Sequence, residues 1–135
     1  MAIGKKYLVD TSVLIALFRK KEEAKNVLGT FIANDTYICD ITLLEILAGC
    51  STSEKRDYAL NLLDAFGLLK NNEKVSDKSM LLMKRYCIQQ YREPTLRLAD
   101  CLIAAFAICH KMELLTFNKK DFEFIQDLNI HHLSR

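Results

Sequence analysis

The stretch Tyr7-Leu8-Val9-Asp10-Thr11-Ser12-Val13-Leu14-Ile15 changes its pattern at its middle. Tyr7 to Val9 is a short run of bulky apolar residues, the composition of a buried strand. From Val13 onward the apolar residues Val13, Leu14, Leu17 and Phe18 recur at helical spacing. Between the two patterns stands Asp10-Thr11-Ser12, a polar step at the carboxyl end of a strand and the amino end of a helix. A buried strand feeding directly into a helix starts an alternation of strands and helices, and the rest of the chain continues it.

Working outward, Glu22 to Ala33 reads as a helix with Val27, Leu28, Phe31 and Ile32 on one side. Asn34-Asp35 is a turn signal, and Thr36 to Cys39 is β-branched and aromatic enough for a second strand. Thr42 opens the next helix, with Glu45 at capping-box spacing. Thr52 or Ser53 starts another, running through Tyr58, Leu62 and Leu63 to about Phe66, where Gly67 ends it. Leu68-Leu69 is a short strand. Ser76 to Tyr91 is an amphipathic helix with Met80, Met83, Cys87 and Tyr91 along one face, broken by Arg92-Glu93-Pro94. Leu98 to Lys111 is apolar nearly all round, hence a buried helix. Glu113 to Phe117 is a strand, Asp121 to Gln126 a short helical turn, and Asn129 to His131 a last edge strand. The prediction is an α/β fold, a central parallel sheet flanked by helices on both faces, with residues 1–135 forming one domain.

Composition agrees with a compact chain. Of 135 residues, 50% are hydrophobic and 27% charged, with one proline and four glycines, too little disorder-promoting sequence for an unstructured chain. The expectation is a soluble cytoplasmic protein with no membrane association, since no apolar run suits a signal peptide or a bilayer span. Five cysteines with no C-x-x-C pair suggest reduced thiols rather than a disulfide framework or a zinc site. A net charge of +2 excludes a protein that grips duplex nucleic acid by charge alone.

In open α/β sheets ligands bind at the carboxyl ends of the strands. Asp10, Glu45, Asp100 and Asp121 fall there or at the adjacent helix starts. Each has an ordinary explanation: Asp10 and Asp121 as caps, Glu45 as the reciprocal partner of Thr42, Asp100 as a favourable charge on a helix dipole. Two features weigh against that. Asp100 shares its helix face with Ile103, Ala104 and Ala107, so the carboxylate turns inward, where an unpaired charge is costly. The topology also gathers Asp10, Glu45 and Asp100 at one end of the sheet, where they repel one another. A hard divalent cation relieves both penalties, and an all-oxygen set selects Mg²⁺, with Mn²⁺ a plausible substitute.

Four segments resemble the motifs of the PIN domain family, in order along nearly the whole chain. They are Leu8-Val9-Asp10-Thr11-Ser12-Val13-Leu14-Ile15, Thr42-Leu43-Leu44-Glu45-Ile46 with Gly49, Leu98-Ala99-Asp100-Cys101-Leu102-Ile103-Ala104-Ala105, and Leu115-Thr116-Phe117-Asn118-Lys119-Lys120-Asp121-Phe122. The chain's size is similar to that of the VapC-type toxins in this family. The resemblance implies a Mg²⁺-dependent endoribonuclease, the toxin of a type II toxin–antitoxin pair. It implies Asp10 and Asp100 as principal metal ligands, Glu45 as a third acid acting directly or through water, Thr11 or Ser12 orienting Asp10, and Thr116 supporting the fourth motif. Many relatives carry an acid where this chain has Asn118, which can coordinate through its amide oxygen; Asp121 is the candidate replacement. One or two metal ions are both compatible with this set.

Arg97, Lys119 and Lys120 are best placed for substrate phosphate, ahead of Lys5, Lys6, Arg19, Lys20, Lys21 and Arg92; any of these can equally be a solvated surface charge, and Arg97 can pair with Glu93. Expected partners are RNA, a VapB-like antitoxin bound as a helix in a groove, and a second copy of the chain as a homodimer. The helix Glu54 to Phe66 and the Met80–Tyr91 face are core or, alternatively, interface. Two other readings stay open: a PIN nuclease of RNA processing or decay, and a PIN-fold binding module without catalysis. No P-loop, G-x-S-x-G or Cys/His pairing offers a different chemistry.

Overall fold

The computed structural model describes residues 4–31, 35–88 and 95–133. Along the chain these form β1 (Lys6–Val9), α1 (Thr11–Phe18), α2 (Glu22–Phe31), β2 (Asp35–Cys39), α3 (Asp40–Ala48), α4 (Ser53–Leu63), β3 (Gly67–Leu69), α5 (Glu73–Tyr86), α6 (Leu98–Cys109), β4 (Glu113–Thr116), a single 3₁₀ turn (Lys119–Asp121) and β5 (Ile130–His132). The strands make one five-stranded sheet in the order β3-β2-β1-β4-β5, and every pairing is parallel. The expected α/β architecture is therefore present.

Alternation along the strands divides the core into two layers. Leu8 and Leu114 face one side, packed with Val75 and Leu82 of α5 and the Ile103–Ala107 stretch of α6. Tyr7, Val9 and Leu115 face the other, with Val13 and Leu14 of α1, Leu28 of α2 and Ala59 and Leu63 of α4. The strand order turns outward at β1, which has β2 on one side and β4 on the other. At such a switch point the loops leave the strands in opposite directions and open a crevice above their carboxyl ends.

Four expectations need correction. Thr42 does not open α3: the helix begins at Asp40 with Cys39 as its N-cap residue, whose side chain makes no capping bond. The chain leaves the strand straight into the helix, so Thr42 is carried inward and fully buried. Gly67 does not end α4, which stops at Leu63; Gly67 is the first residue of β3, opposite Tyr37 of β2. The amphipathic helix α5 runs from Glu73 to Tyr86, earlier at both ends than the pattern suggested, because Asn72 caps it through a bond from the Val75 amide at 2.9 Å. Its inward residues are Val75 and Leu82, with Met83 and Tyr86 packed behind them; Met80 and Cys87 face solvent. The helical turn expected over Asp121–Gln126 is instead the 3₁₀ turn Lys119–Asp121. Asn34, Tyr91, Arg92, Glu93 and Pro94 lie outside the described residues, and with them the Asn34 turn, the Arg92 and Glu93 contacts and the break expected before Leu98.

Candidate active site

Asp10 is the first residue after β1. Its backbone amide continues the sheet ladder to the Leu115 carbonyl at 2.9 Å, which locks it against β4. Although it occupies the N-cap position of α1, its side chain makes no capping bond. Instead Oδ2 accepts hydrogen bonds from Ser12 Oγ at 2.7 Å and Thr116 Oγ1 at 2.8 Å. Thr116 is fully buried at the end of β4, and its Oγ1 also accepts the Asn118 amide at 2.9 Å. Ser12 Oγ accepts the Phe117 amide at 3.3 Å. The two hydroxyls thus tie the ends of neighbouring strands to one carboxylate. Burial pushes Asp10's carboxyl above its ordinary range, and the hydroxyl donors hold it back in part.

Glu45 reaches the same end from α3. Thr11 Oγ1 lies 2.8 Å from Glu45 Oε1 and 3.2 Å from Thr42 Oγ1. A hydroxyl has one proton to give, and the shorter approach to the carboxylate takes it. Thr42 stands behind this pair, 3.6 Å from the Cys39 sulfur. Glu45 is therefore held by Thr11 of α1, not by a capping bond to Thr42.

Asp100 sits in the first turn of α6, half-buried rather than enclosed. Its carboxyl is pushed up to about 7: burial contributes most, then the charges of Asp10 and Asp121, with Arg97 pulling back and Glu45 adding a smaller push. All four predicted acids therefore share one electrostatic neighbourhood. Arg97 is the N-cap residue of α6, without a side-chain capping bond, and faces solvent. Lys119 and Lys120 are exposed on the same 3₁₀ turn as Asp121. The side chain of Asn118 caps nothing there, and its backbone N–H donates to Thr116 Oγ1. Asp10 keeps part of its capping role, since the Thr11 and Ser12 amides at the start of α1 also draw its carboxyl down; the capping explanation for Glu45 does not hold, and for Asp100 the helix-dipole contribution and the acidic cluster coexist.

The donor chemistry fits a hard cation. Several carboxylates repel across a half-buried crevice, with Arg97 offsetting them only in part. Among the described residues no group of three or more His, Cys, Asp or Glu side chains is placed to hold a metal ion by itself.

The pattern-based reading missed the surroundings of this cluster. Thr42, at capping-box spacing in the pattern, is instead a buried neighbour of Thr11. Ile15 and Phe18 of α1 and Tyr58 of α4 line a cavity beside Glu45; the pattern leaves the α4 segment open as core or interface, and along α1, apolar almost throughout, nothing separates such a wall from core.

Known proteins resemble this chain in sequence and fold. The PIN domain family matches residues 7–127. Ribonuclease VapC1 of Rickettsia felis is 32% identical over 127 residues, spanning 91% of this chain and 92% of that protein. A chain of a toxin–antitoxin complex from Klebsiella pneumoniae superposes with a TM-score of 0.75 at 28% identity, covering 91% of this chain and 95% of its own. A chain of VapBC2 from Rickettsia felis, bound to a DNA fragment from its promoter, has the same fold, with a TM-score of 0.77 at 20% identity and coverage of 95% and 98%.

Proposed function

Since the chain belongs to the PIN domain family, we propose that it is an endoribonuclease of the VapC kind, the toxin of a toxin–antitoxin pair, hydrolysing RNA phosphodiester bonds at the crevice above β1 and β4. The observation that carries this reading is geometric: at the carboxyl ends of β1 and β4 Asp10 is held by Ser12 and Thr116, and Glu45 is held beside it by Thr11, with Asp100 near enough to feel the charges of Asp10, Asp121 and Glu45.

Asp10 and Asp100 would hold a divalent cation, Mg²⁺ or Mn²⁺, with Glu45, Asp121 or the Asn118 amide oxygen contributing directly or through water. When bound, that ion activates water and neutralises charge developing on the phosphate. The protein's own residues do the rest. Ser12 and Thr116 fix the Asp10 carboxylate by two hydrogen bonds, which also favour its charged form. Thr11 orients Glu45. Arg97, Lys119 and Lys120 supply positive charge at the rim, where they would hold the phosphates on either side of the cut. An antitoxin segment would silence the enzyme by covering this crevice, and the protein would act as a homodimer.

Incubation of the purified protein with RNA, with and without Mg²⁺ or Mn²⁺, tests the reading. Cleavage should need the ion and should leave a 5′-phosphate. It should be lost in Asp100→Asn, a variant that keeps the circular dichroism of the parent. Equal activity in parent and variant rejects the proposed site. Rescue of growth arrest by the product of a small adjacent gene tests the toxin role.

A further inference from the structure

A cavity of about 600 Å³ opens between α1, α3 and α4, beside the acidic cluster rather than over it. Thr11 and Glu45, joined by their hydrogen bond, belong to both the cluster and the cavity wall. Beyond them the wall is apolar. Ile15 and Tyr58 leave 39% and 47% of their surface open to water, a cost that a bound apolar group would remove. Phe18 meets Tyr58 edge to face, with ring centroids 6.3 Å apart and planes at 63°, so each ring fixes the other's orientation. Arg19, Lys55 and Glu54 also line the cavity and are exposed.

An exposed tyrosine ring braced by a second aromatic, two cations at the edge and direct continuity with the acidic cluster together match the parts of a nucleotide. Unpaired bases stack on aromatic side chains whatever their identity, while their phosphates seek cations. The volume lies within the range of pockets that enclose a small planar molecule. We propose that this cavity receives the unpaired base of a nucleotide adjacent to the scissile phosphate, stacked on Tyr58, with Arg19 and Lys55 facing its backbone. The inference rests on the ribonuclease reading and adds to it a determinant of substrate shape: the nucleotide beside the cut must be able to leave a stack.

The test uses a labelled single-stranded RNA oligonucleotide whose cut site has been mapped with the purified full chain and Mn²⁺. It is compared with oligonucleotides of the same sequence carrying an abasic ribose at each position flanking the cut. One abasic position should lower kcat/KM about tenfold or more, the scale of a lost base–aromatic stack. Tyr58→Ala should lose about the same factor on the intact oligonucleotide and nothing further on the abasic one; Tyr58→Phe, which keeps the ring, should stay within about twofold. Losses that multiply overturn the proposal, as does Tyr58→Ala cutting like the parent, which would leave the cavity to a protein segment. Parent protein cutting every abasic oligonucleotide as fast as the intact one overturns it without any variant. Parent protein that is folded yet leaves all RNA intact with either metal rejects the ribonuclease reading itself, and the base pocket with it.

Discussion

Asp100 holds its proton in the metal-free fold up to about pH 7, where an ordinary aspartate loses it near 3.8. Below the lower value the carboxyl is protonated whether the chain is folded or not, and it contributes nothing. Between the two values the unfolded chain releases a proton that the folded chain keeps, so stability falls as pH rises, and above about 7 the whole penalty is present. Burial moves Asp10 in the same direction. The metal-free protein should therefore melt a few degrees lower at pH 8 than at pH 5, Asp100→Asn should show a smaller drop, and Mg²⁺ should restore the parent more at pH 8 than at pH 5. Thermal melts at the two pH values decide it: parallel pH dependence in parent and variant would remove Asp100 from the cluster. The same substitution should cost about a hundredfold or more in kcat/KM, because a group that acts only with the ion cannot be replaced by a neutral amide. Thr116 has a different test. Its hydroxyl is fully buried and donates to a buried carboxylate, so Thr116→Val should lower stability by about 1–3 kcal/mol in urea denaturation, and Thr116→Ser should recover most of it. A valine variant as stable as the parent would mean that Asp10 finds its donors elsewhere.

At the scale of elements, the tightest constraint lies between β2 and β3. A Cβ added to Gly67 would stand 2.4 Å from Cδ2 of Tyr37, a ring carbon near the root of the side chain that cannot simply swing aside. Gly67→Ala should cost about 1–3 kcal/mol through overpacking. With Tyr37→Ala the ring is gone, so the double variant should lose clearly less than the sum of the singles; additive midpoints in urea would place the strain elsewhere. This contact also explains why the glycine was misread. Its need is set by a residue thirty positions away in sequence, and from local pattern a glycine after Phe66 resembles a helix stop. The inward face of α5 escaped for a similar reason: Met80 and Cys87 are apolar enough to suggest burial, but the helix rotates to present Val75 and Leu82 to α6. By contrast β1, α1 and α6 were legible, since Tyr7–Val9 and Ile103–Ala107 are apolar because they are enclosed on every side, and their composition alone reports it.

For the molecule as a whole, the sequence contained the four acids and the order of the motifs, and a parallel sheet brings strand ends together by construction. Of the two hydroxyls expected to orient Asp10, Ser12 does so; that Thr11 instead takes Glu45, and that Thr116 joins Ser12 on Asp10, depends on how distant elements pack, which no local window records. Charge at this scale makes the last prediction. The net charge is +2, so RNA cannot be gathered by a broad basic surface and must be held by the few cations around the crevice. Arg97, Lys119 and Lys120 stand near the acids, and Arg19 and Lys55 line the adjoining cavity. With about 0.7 counterions released per phosphate neutralised on a single strand, three to five contacts give a slope of log K against log salt between about −2 and −3.5. Fluorescence anisotropy of a labelled single-stranded RNA, titrated with the non-cutting Asp100→Asn protein between about 50 and 200 mM salt, measures it. Adding Arg97→Gln, Lys119→Gln and Lys120→Gln should flatten the slope by about 2 while the affinity extrapolated to about 1 M salt changes little, because the stacking and hydrogen-bonding part of binding is insensitive to salt. An unchanged slope in that variant would show that the phosphates lie elsewhere, and a parent slope steeper than about −5 would mean that a far larger surface grips the RNA than the crevice and its cavity provide.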